Sequence, residues 1–179
     1  MIIKSFELKK DLKNKSNFFL FYGENEGLKA EAIQVIINSG FSKTIQKYDE
    51  SEVLGNYDSF ISESFNKSLF DDKKIIIISR ASDKILPIID EMKIKDFSDI
   101  KLIINCGVLE KKSKLRSIFE KEKNLVCVPF YSDDNYALTN IARNFFNKNK
   151  ISISSEIINL IVERSRGDRI NLNNELTKI

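Results

Sequence analysis

Phe19–Ile37 reads FLFYGENEGLKAEAIQVII, an apolar run that passes through Gly23, Gly27 and Lys29 into an apolar helix. This is the layout of a phosphate-binding loop. A working loop of the GxxxxGK[ST] type needs its second glycine so that backbone N–H groups can wrap phosphates, its lysine for charge and its Ser or Thr hydroxyl for Mg²⁺. Counted from Gly23, the register gives Leu28, Lys29 and Ala30. Lys29 therefore stands at the lysine position, but Leu28 replaces the glycine and Ala30 removes the metal ligand. Glu24 and Glu26 add negative charge where phosphates would lie, each costing on the order of 1 kcal/mol or more at surface dielectric. The loop is expected not to bind ATP. Gly23 and Gly27 then serve a tight strand-to-helix turn, and Lys29 is expected to be a solvated first-turn residue.

Outward from the loop, FFLFY (18–22) reads as a strand buried on both faces, and the helix from Leu28 to Asn38 turns Ile33, Ile36 and Ile37 inward before Gly40 stops it. Upstream, Ile2, Ile3, Phe6 and Leu12 can share one helical face. Downstream, TIQKY (44–48), KKIIIIS (73–79), KLIIN (101–105) and LVCV (125–128) are further strands, the last ended by Pro129. Helical spacing separates them: Tyr57, Ile61 and Phe65; Ile85, Ile89 and Met92; Leu115 and Phe119. Buried strands alternating with helices predict a three-layer α/β domain with a mainly parallel five-stranded sheet. Beyond Phe130 the pattern is all helix. Asp133 or Asp134 can cap a helix carrying Ala137, Ile141 and Phe145; Ser154 or Ser155 can cap another carrying Ile157 and Ile161. Gly167 closes that helix, and Leu172 with Leu176 begins a third.

The 179 residues, 42% of them hydrophobic, suffice for a sizeable core. A formal charge of +3 gives no overall field for nucleic acid. The absence of histidine removes Ser-His-Asp and Cys-His catalysis and every His-ligated zinc site. Cys106 and Cys127 each lie in an apolar run, as buried thiols of a reducing compartment do. The longest apolar runs fall well short of the roughly 18 residues needed to span a bilayer, so a cytoplasmic protein without membrane association is expected. The third strand ends in Ser79 and Arg80, where hydrolysing nucleotide-binding proteins carry the acidic pair that holds Mg²⁺. No catalytic residue, cofactor or metal is expected, and no catalytic role falls to Arg80.

Four segments taken in order carry a family resemblance: FFLFYGENEGLKAEAI (18–33), SLFDDKKIIIISRASD (68–83), KLIINCGVLEKKSKLRSIFEK (101–121) and ISISSEIINLIVERSRGDRINLNNELTKI (151–179). Together they resemble the delta subunits of the bacterial DNA polymerase III clamp loader. The resemblance implies an AAA+-like domain over residues 1–130 with a degenerate nucleotide loop at Gly23, Gly27 and Lys29, followed by a helical lid over 131–179. It implies the N-terminal portion of such a subunit, without the collar through which the family's members join other clamp-loader subunits. It also implies a non-hydrolysing role within the polymerase III holoenzyme: binding the sliding clamp (the beta subunit) and helping to open its ring, with DNA met inside the full complex.

In the family a Leu-Phe pair before the third strand enters the clamp's hydrophobic pocket, and here the motif falls on Leu69 and Phe70, preceded by Ser68. On residue character alone the pair reads instead as cover for the sheet edge beneath the isoleucines; the resemblance reverses that reading in favour of clamp contact. Lys111, Lys112, Lys114 and Arg116 open a helix and either face DNA or form a solvated face. Two other classes remain as alternatives: an active P-loop NTPase, against which Leu28 and Ala30 stand, and a single-stranded nucleic-acid-binding module built on lysines with Phe and Tyr.

Overall fold

The computed structural model of the chain describes residues 1–12, 16–66, 73–95 and 97–179. By packing it divides into an α/β unit, residues 1–23 with 31–129, and a helical unit, residues 24–30 with 130–179. The sequence-predicted strands all form: β1 (Phe18–Gly23), β2 (Thr44–Asp49), β3 (Lys74–Ala81), β4 (Ile100–Cys106) and β5 (Leu125–Phe130). They make one sheet in the order β2-β3-β4-β1-β5, with β2–β3, β3–β4 and β1–β4 all parallel. The register sets Leu20 beside Ile104 and Ile76 beside Leu102, so like rows align across the sheet.

β1, β3, β4 and β5 read as largely apolar runs because both faces are covered, whereas β2, at the sheet edge, is half-buried and exposed by turns. Phe18, Leu20, Tyr22, Ile76, Ile78, Leu102 and Ile104 pack on one side with Val53, Phe60, Ile89, Met92, Leu115 and Phe119 from the helices. The alternate residues Phe19, Phe21, Ile75, Ile77 and Ile103 are equally buried on the other side. Each such side chain contributes roughly 1.5–3 kcal/mol relative to exposure. The intervening helices are α1 (Leu8–Asp11), α2 (Glu26–Ile37), α3 (Glu50–Gly55), α4 (Tyr57–Phe65), α5 (Leu86–Ile94) and α6 (Lys114–Lys121). Gly40 adopts φ +75, as expected of the stop after α2. Both cysteines are buried thiols not joined in a disulfide, and burial pushes the Cys127 thiol up to about 12.

The N-terminus differs from expectation. Ile2 and Ile3 are not helical: Ile2 bridges Cys127 in parallel, Ile3 N donates to Cys127 O at 3.0 Å and Cys127 N to Met1 O at 2.8 Å. Unpaired donors on β5 thus outweigh the helical spacing. The helical turns begin only at Ser5, and Phe6 lies 74% exposed.

In the helical unit, α7 (Asn135–Lys148), α8 (Ser155–Arg164) and α9 (Arg169–Leu176) enclose their own core of Leu138, Ala142, Phe146, Ile158, Ile161, Val162, Leu172 and Leu176. The buried face of α7 is one residue on from the expected Ala137, Ile141 and Phe145, and Ile157 of α8 is exposed while Ile158 is buried. Asp134 caps α7 through Ala137 N at 2.7 Å, and Ser154 caps α8. Gly167, at φ +78, ends the turn before α9. Among the described residues no helix is long and apolar enough to cross a membrane.

Asp83 is the principal polar tie of the α/β unit. Its carboxylate accepts from Ser113 Oγ at 2.6 Å and from the backbone N–H groups of Lys114 and Leu115, both at 3.0 Å, closing the N-terminus of α6. The Ser113 hydrogen bond leads in holding its pKa below the ordinary carboxylate value, with the two backbone donors adding to it against a smaller opposing effect of burial. A depressed folded-state pKa gives stability that is present above the unfolded carboxylate pKa and lost as pH falls through the folded one. Asp83→Asn is expected to cost roughly 1 kcal/mol in urea unfolding at pH 7. The difference from wild type should narrow progressively as the pH falls below the ordinary carboxylate pKa of about 4; a gap that stays constant there would show that the carboxylate's charge is not what matters.

Candidate functional site

Gly23, the last residue of β1, has φ 129, and its N–H donates to Gly107 O at 3.0 Å. That conformation admits little but glycine, so the tight turn expected there is present. The carboxylates at the end of β2 turn towards β3. Asp49 pairs with Arg80, and Glu50 accepts from Ser82 N at 2.7 Å and Ser82 Oγ at 2.9 Å. Arg80 itself has φ 54 beside a register shift between Ser79 and Ala81, and its side chain is 76% exposed. Sequence reasoning gave Arg80 no role and did not foresee this strained backbone.

In the helical unit the loop residues 24–30 are held almost wholly by the chain itself. Asn25 N donates to Phe130 O at 3.3 Å, and Leu28 N to Asn25 Oδ1 at 2.9 Å. Lys29 N bonds Asn25 O at 3.0 Å. Of these, Leu28 N is a first-turn donor of the kind a helix offers to an anion, while the Lys29 N bond is the ordinary helical one. Lys29 is not the solvated residue expected: it is 1% exposed, and its Nζ lies 2.7 Å from Glu26 Oε1. A lysine taken out of water needs such a partner. Ser132 Oγ donates to Glu24 Oε2 at 2.8 Å. Glu24 and Glu26 are thus both engaged within the unit.

The strongest polar contact of the unit joins Asp133, just before α7, to Arg169, the first residue of α9. Arg169 Nε meets Asp133 Oδ2 and Arg169 Nη2 meets Asp133 Oδ1, each at 2.8 Å, a two-pronged pair whose side chains are 11% and 8% exposed. Asn25 Nδ2 completes it, donating to Asp133 Oδ2 at 2.8 Å and to Tyr131 O at 3.1 Å. Burial alone would raise the Asp133 pKa; the hydrogen bonds from Arg169 and Asn25 and the guanidinium charge outweigh it, and the net shift is downward.

Gly27 belongs to this contact. It lies inside α2 without a positive φ, and a Cβ placed on it would sit 2.9 Å from Cβ and 3.1 Å from Cγ of Arg169. Gly23 therefore makes the turn, whereas Gly27 makes room for Arg169.

Sequence reasoning missed Asn25 and Arg169 and weighed Asp133 only as a cap. The one local signal is Gly167-Asp168-Arg169 opening a helix, which carries no indication of partners at positions 25 and 133. The lysine cluster is partly engaged: Lys112 pairs with Glu110 at 2.8 Å, and Arg116 pairs with Glu120 at 2.8 Å with its guanidinium over the Tyr22 ring. Ser68, Leu69 and Phe70 lie outside the described residues. Among the described residues no group of three His, Cys, Asp or Glu could hold a metal.

No protein-family model matches the chain, and no curated protein matches it. Solved structures do. The Bacillus subtilis DNA clamp loader delta protein aligns at TM-score 0.64 and 14% identity over 97% of this chain and 56% of that one. The Thermotoga maritima RuvB Holliday junction branch migration motor aligns at TM-score 0.57 and 15% identity over 96% of this chain and 57% of that one. Domain III of the T. maritima replication initiation protein DnaA aligns at TM-score 0.52 and 14% identity over 95% of this chain and 77% of that domain. At these identities the likeness is one of fold. The shared fold is a five-stranded parallel α/β domain with flanking helices. This chain spans a little over half the length of the delta and RuvB chains, 56% and 57%.

Gly27→Ala is expected to destabilise the protein by about 1–3 kcal/mol in denaturant unfolding, because the nearest atoms belong to the stem of Arg169 rather than its mobile end. A stabilising effect, as an alanine normally has in an unobstructed helix, would contradict the packing described.

Proposed function

We propose that this protein is a clamp-loader subunit of the delta type, which binds a DNA polymerase sliding clamp and helps to open its ring without binding or hydrolysing nucleotide. In this reading residues 1–130 form the AAA+-like domain and 131–179 the helical lid, and other loader subunits and DNA are partners in the complete assembly. The observation that carries the proposal is the loop at Gly23–Lys29. Its lysine and its first-turn donor Leu28 N are already satisfied by the chain's own groups, in a fold shared with a clamp loader delta protein.

The clamp contact falls to Leu69 and Phe70, with Ser68 before them, through the family resemblance. The described residues on either side support the assignment. α4 ends at Phe65, and the Lys74 ammonium donates to the carbonyls of Glu63, Ser64 and Asn66 at 2.7, 3.3 and 2.5 Å. Lys74, 6% exposed, is a cation at the negative end of a helix; desolvation lowers its pKa, against an opposing effect of Glu63. It fixes the point from which the segment leaves α4 and to which β3 returns. An aliphatic and an aromatic anchor entering a preformed pocket are the usual centres of binding energy, worth roughly 2 kcal/mol or more each.

Ring opening then needs no covalent step. Binding that favours a clamp shape which no longer fits its neighbour shifts the closed–open equilibrium by the difference in affinity for the two shapes.

The test is titration of the full chain with the sliding clamp of the same organism, beside Leu69→Ala/Phe70→Ala with folding checked by thermal melting. Micromolar or tighter binding, weakened roughly 100-fold or more in the folded double variant, is the expected outcome. Equal binding by the two proteins would move the contact elsewhere on the domain, and no binding by folded wild type would overturn the reading.

A further inference from the structure

The Asp133–Arg169–Asn25 cluster is more than is needed to start two helices. α7 already has its cap in Asp134, and α9 has its own in Asp168, whose carboxylate accepts from Asn171 N at 2.7 Å. Asp133 is therefore spare as a capping residue. It is nonetheless buried, with both oxygens engaged by a guanidinium and one also by an amide. Its three ligating groups are hydrogen-bond donors converging on one small oxyanion. Arg169 in turn lies over Gly27 in the loop whose sequence has the phosphate-binding layout.

We propose that the Asp133 carboxylate is an internal substitute for a bound phosphate: a permanent oxyanion that occupies the Arg169 fork and stitches residues 24–30 to the helices α7 and α9. The chemistry is symmetrical, since a guanidinium fork that accepts two carboxylate oxygens accepts two phosphate oxygens in the same way. An oxyanion delivered by the chain is present at all times and at no concentration cost, so the integrity of the helical unit is independent of any ligand. This inference concerns residues 24–30 and 130–179 alone and does not rest on clamp binding.

Removing the carboxylate should leave Arg169 facing a vacated oxyanion position, and a small anion from solution should then restore what was lost. The experiment is thermal melting of wild type, Asp133→Ala, Asp133→Asn and Asp133→Ala/Arg169→Met, each with inorganic phosphate or with chloride at matched ionic strength. Asp133→Ala should melt below wild type, and phosphate should raise its melting temperature by about 2–4 °C more than chloride does. Wild type should show no such selective gain. Neither should Asp133→Asn, in which an amide fills the position, nor the double variant, which has no fork. Should Asp133→Ala fail to fold in chloride, recovery of folded protein on refolding in phosphate is the equivalent result.

Phosphate acting alike on wild type and Asp133→Ala would overturn the proposal. So would a selective gain from phosphate in the double variant, which has no fork.

Discussion

A carboxylate and a guanidinium withdrawn from water must find each other or unfold what holds them. In the helical unit that constraint is met by Asp133 and Arg169, and much of the unit follows from it. Arg169 is fixed by the start of α9 and Asp133 by the approach to α7, so their pairing fixes those helix starts against one another. Asn25 reaches the same carboxylate, which draws the loop residues into the unit, and Gly27 is the residue that lets the arginine stem lie down on α2. A buried pair of this kind is weak evidence of net stabilisation, because desolvation offsets its attraction. Its value is geometric: any arrangement that separates the partners leaves a bare charge in a dry place.

The same economy governs the loop. A phosphate is held by a cation, by first-turn N–H groups and by a backbone free to approach it closely. Here Lys29 holds Glu26, Leu28 N holds the Asn25 side chain, and the approach across Gly27 belongs to Arg169. At the end of β3, where nucleotide hydrolysis needs acidic groups, Asp49 and Glu50 are drawn to Arg80 and Ser82. The polar groups of the loop are thus met by the chain's own side chains.

The sheet is legible in the sequence because strands buried on both faces must be apolar throughout, and four such runs with a mixed edge strand, TIQKY, separated by helical spacing leave little choice of architecture. Helix faces are less legible. In α7 the apolar residues Leu138, Ile141, Ala142, Phe145 and Phe146 span more than one stripe, and packing against α8 and α9 selects Leu138, Ala142 and Phe146. Ile2 and Ile3 fit a helical face by spacing, but the open donors and acceptors of β5 take them instead. The loop's departures from the phosphate-binding pattern are visible in Leu28, Ala30 and the two glutamates. The contact of Asp133 with Arg169 and Asn25 is not, since the three are joined only by the fold, and nothing local marks a lysine such as Lys29 as buried.

The central claim is that the loop is filled from within. Calorimetric titration of the full chain with ATP, with and without Mg²⁺, tests it most directly. The account predicts no binding heat up to millimolar nucleotide in either condition. A saturable, Mg²⁺-dependent isotherm in that range would contradict it, because the loop would then have to release Lys29 and open the approach that Arg169 now occupies.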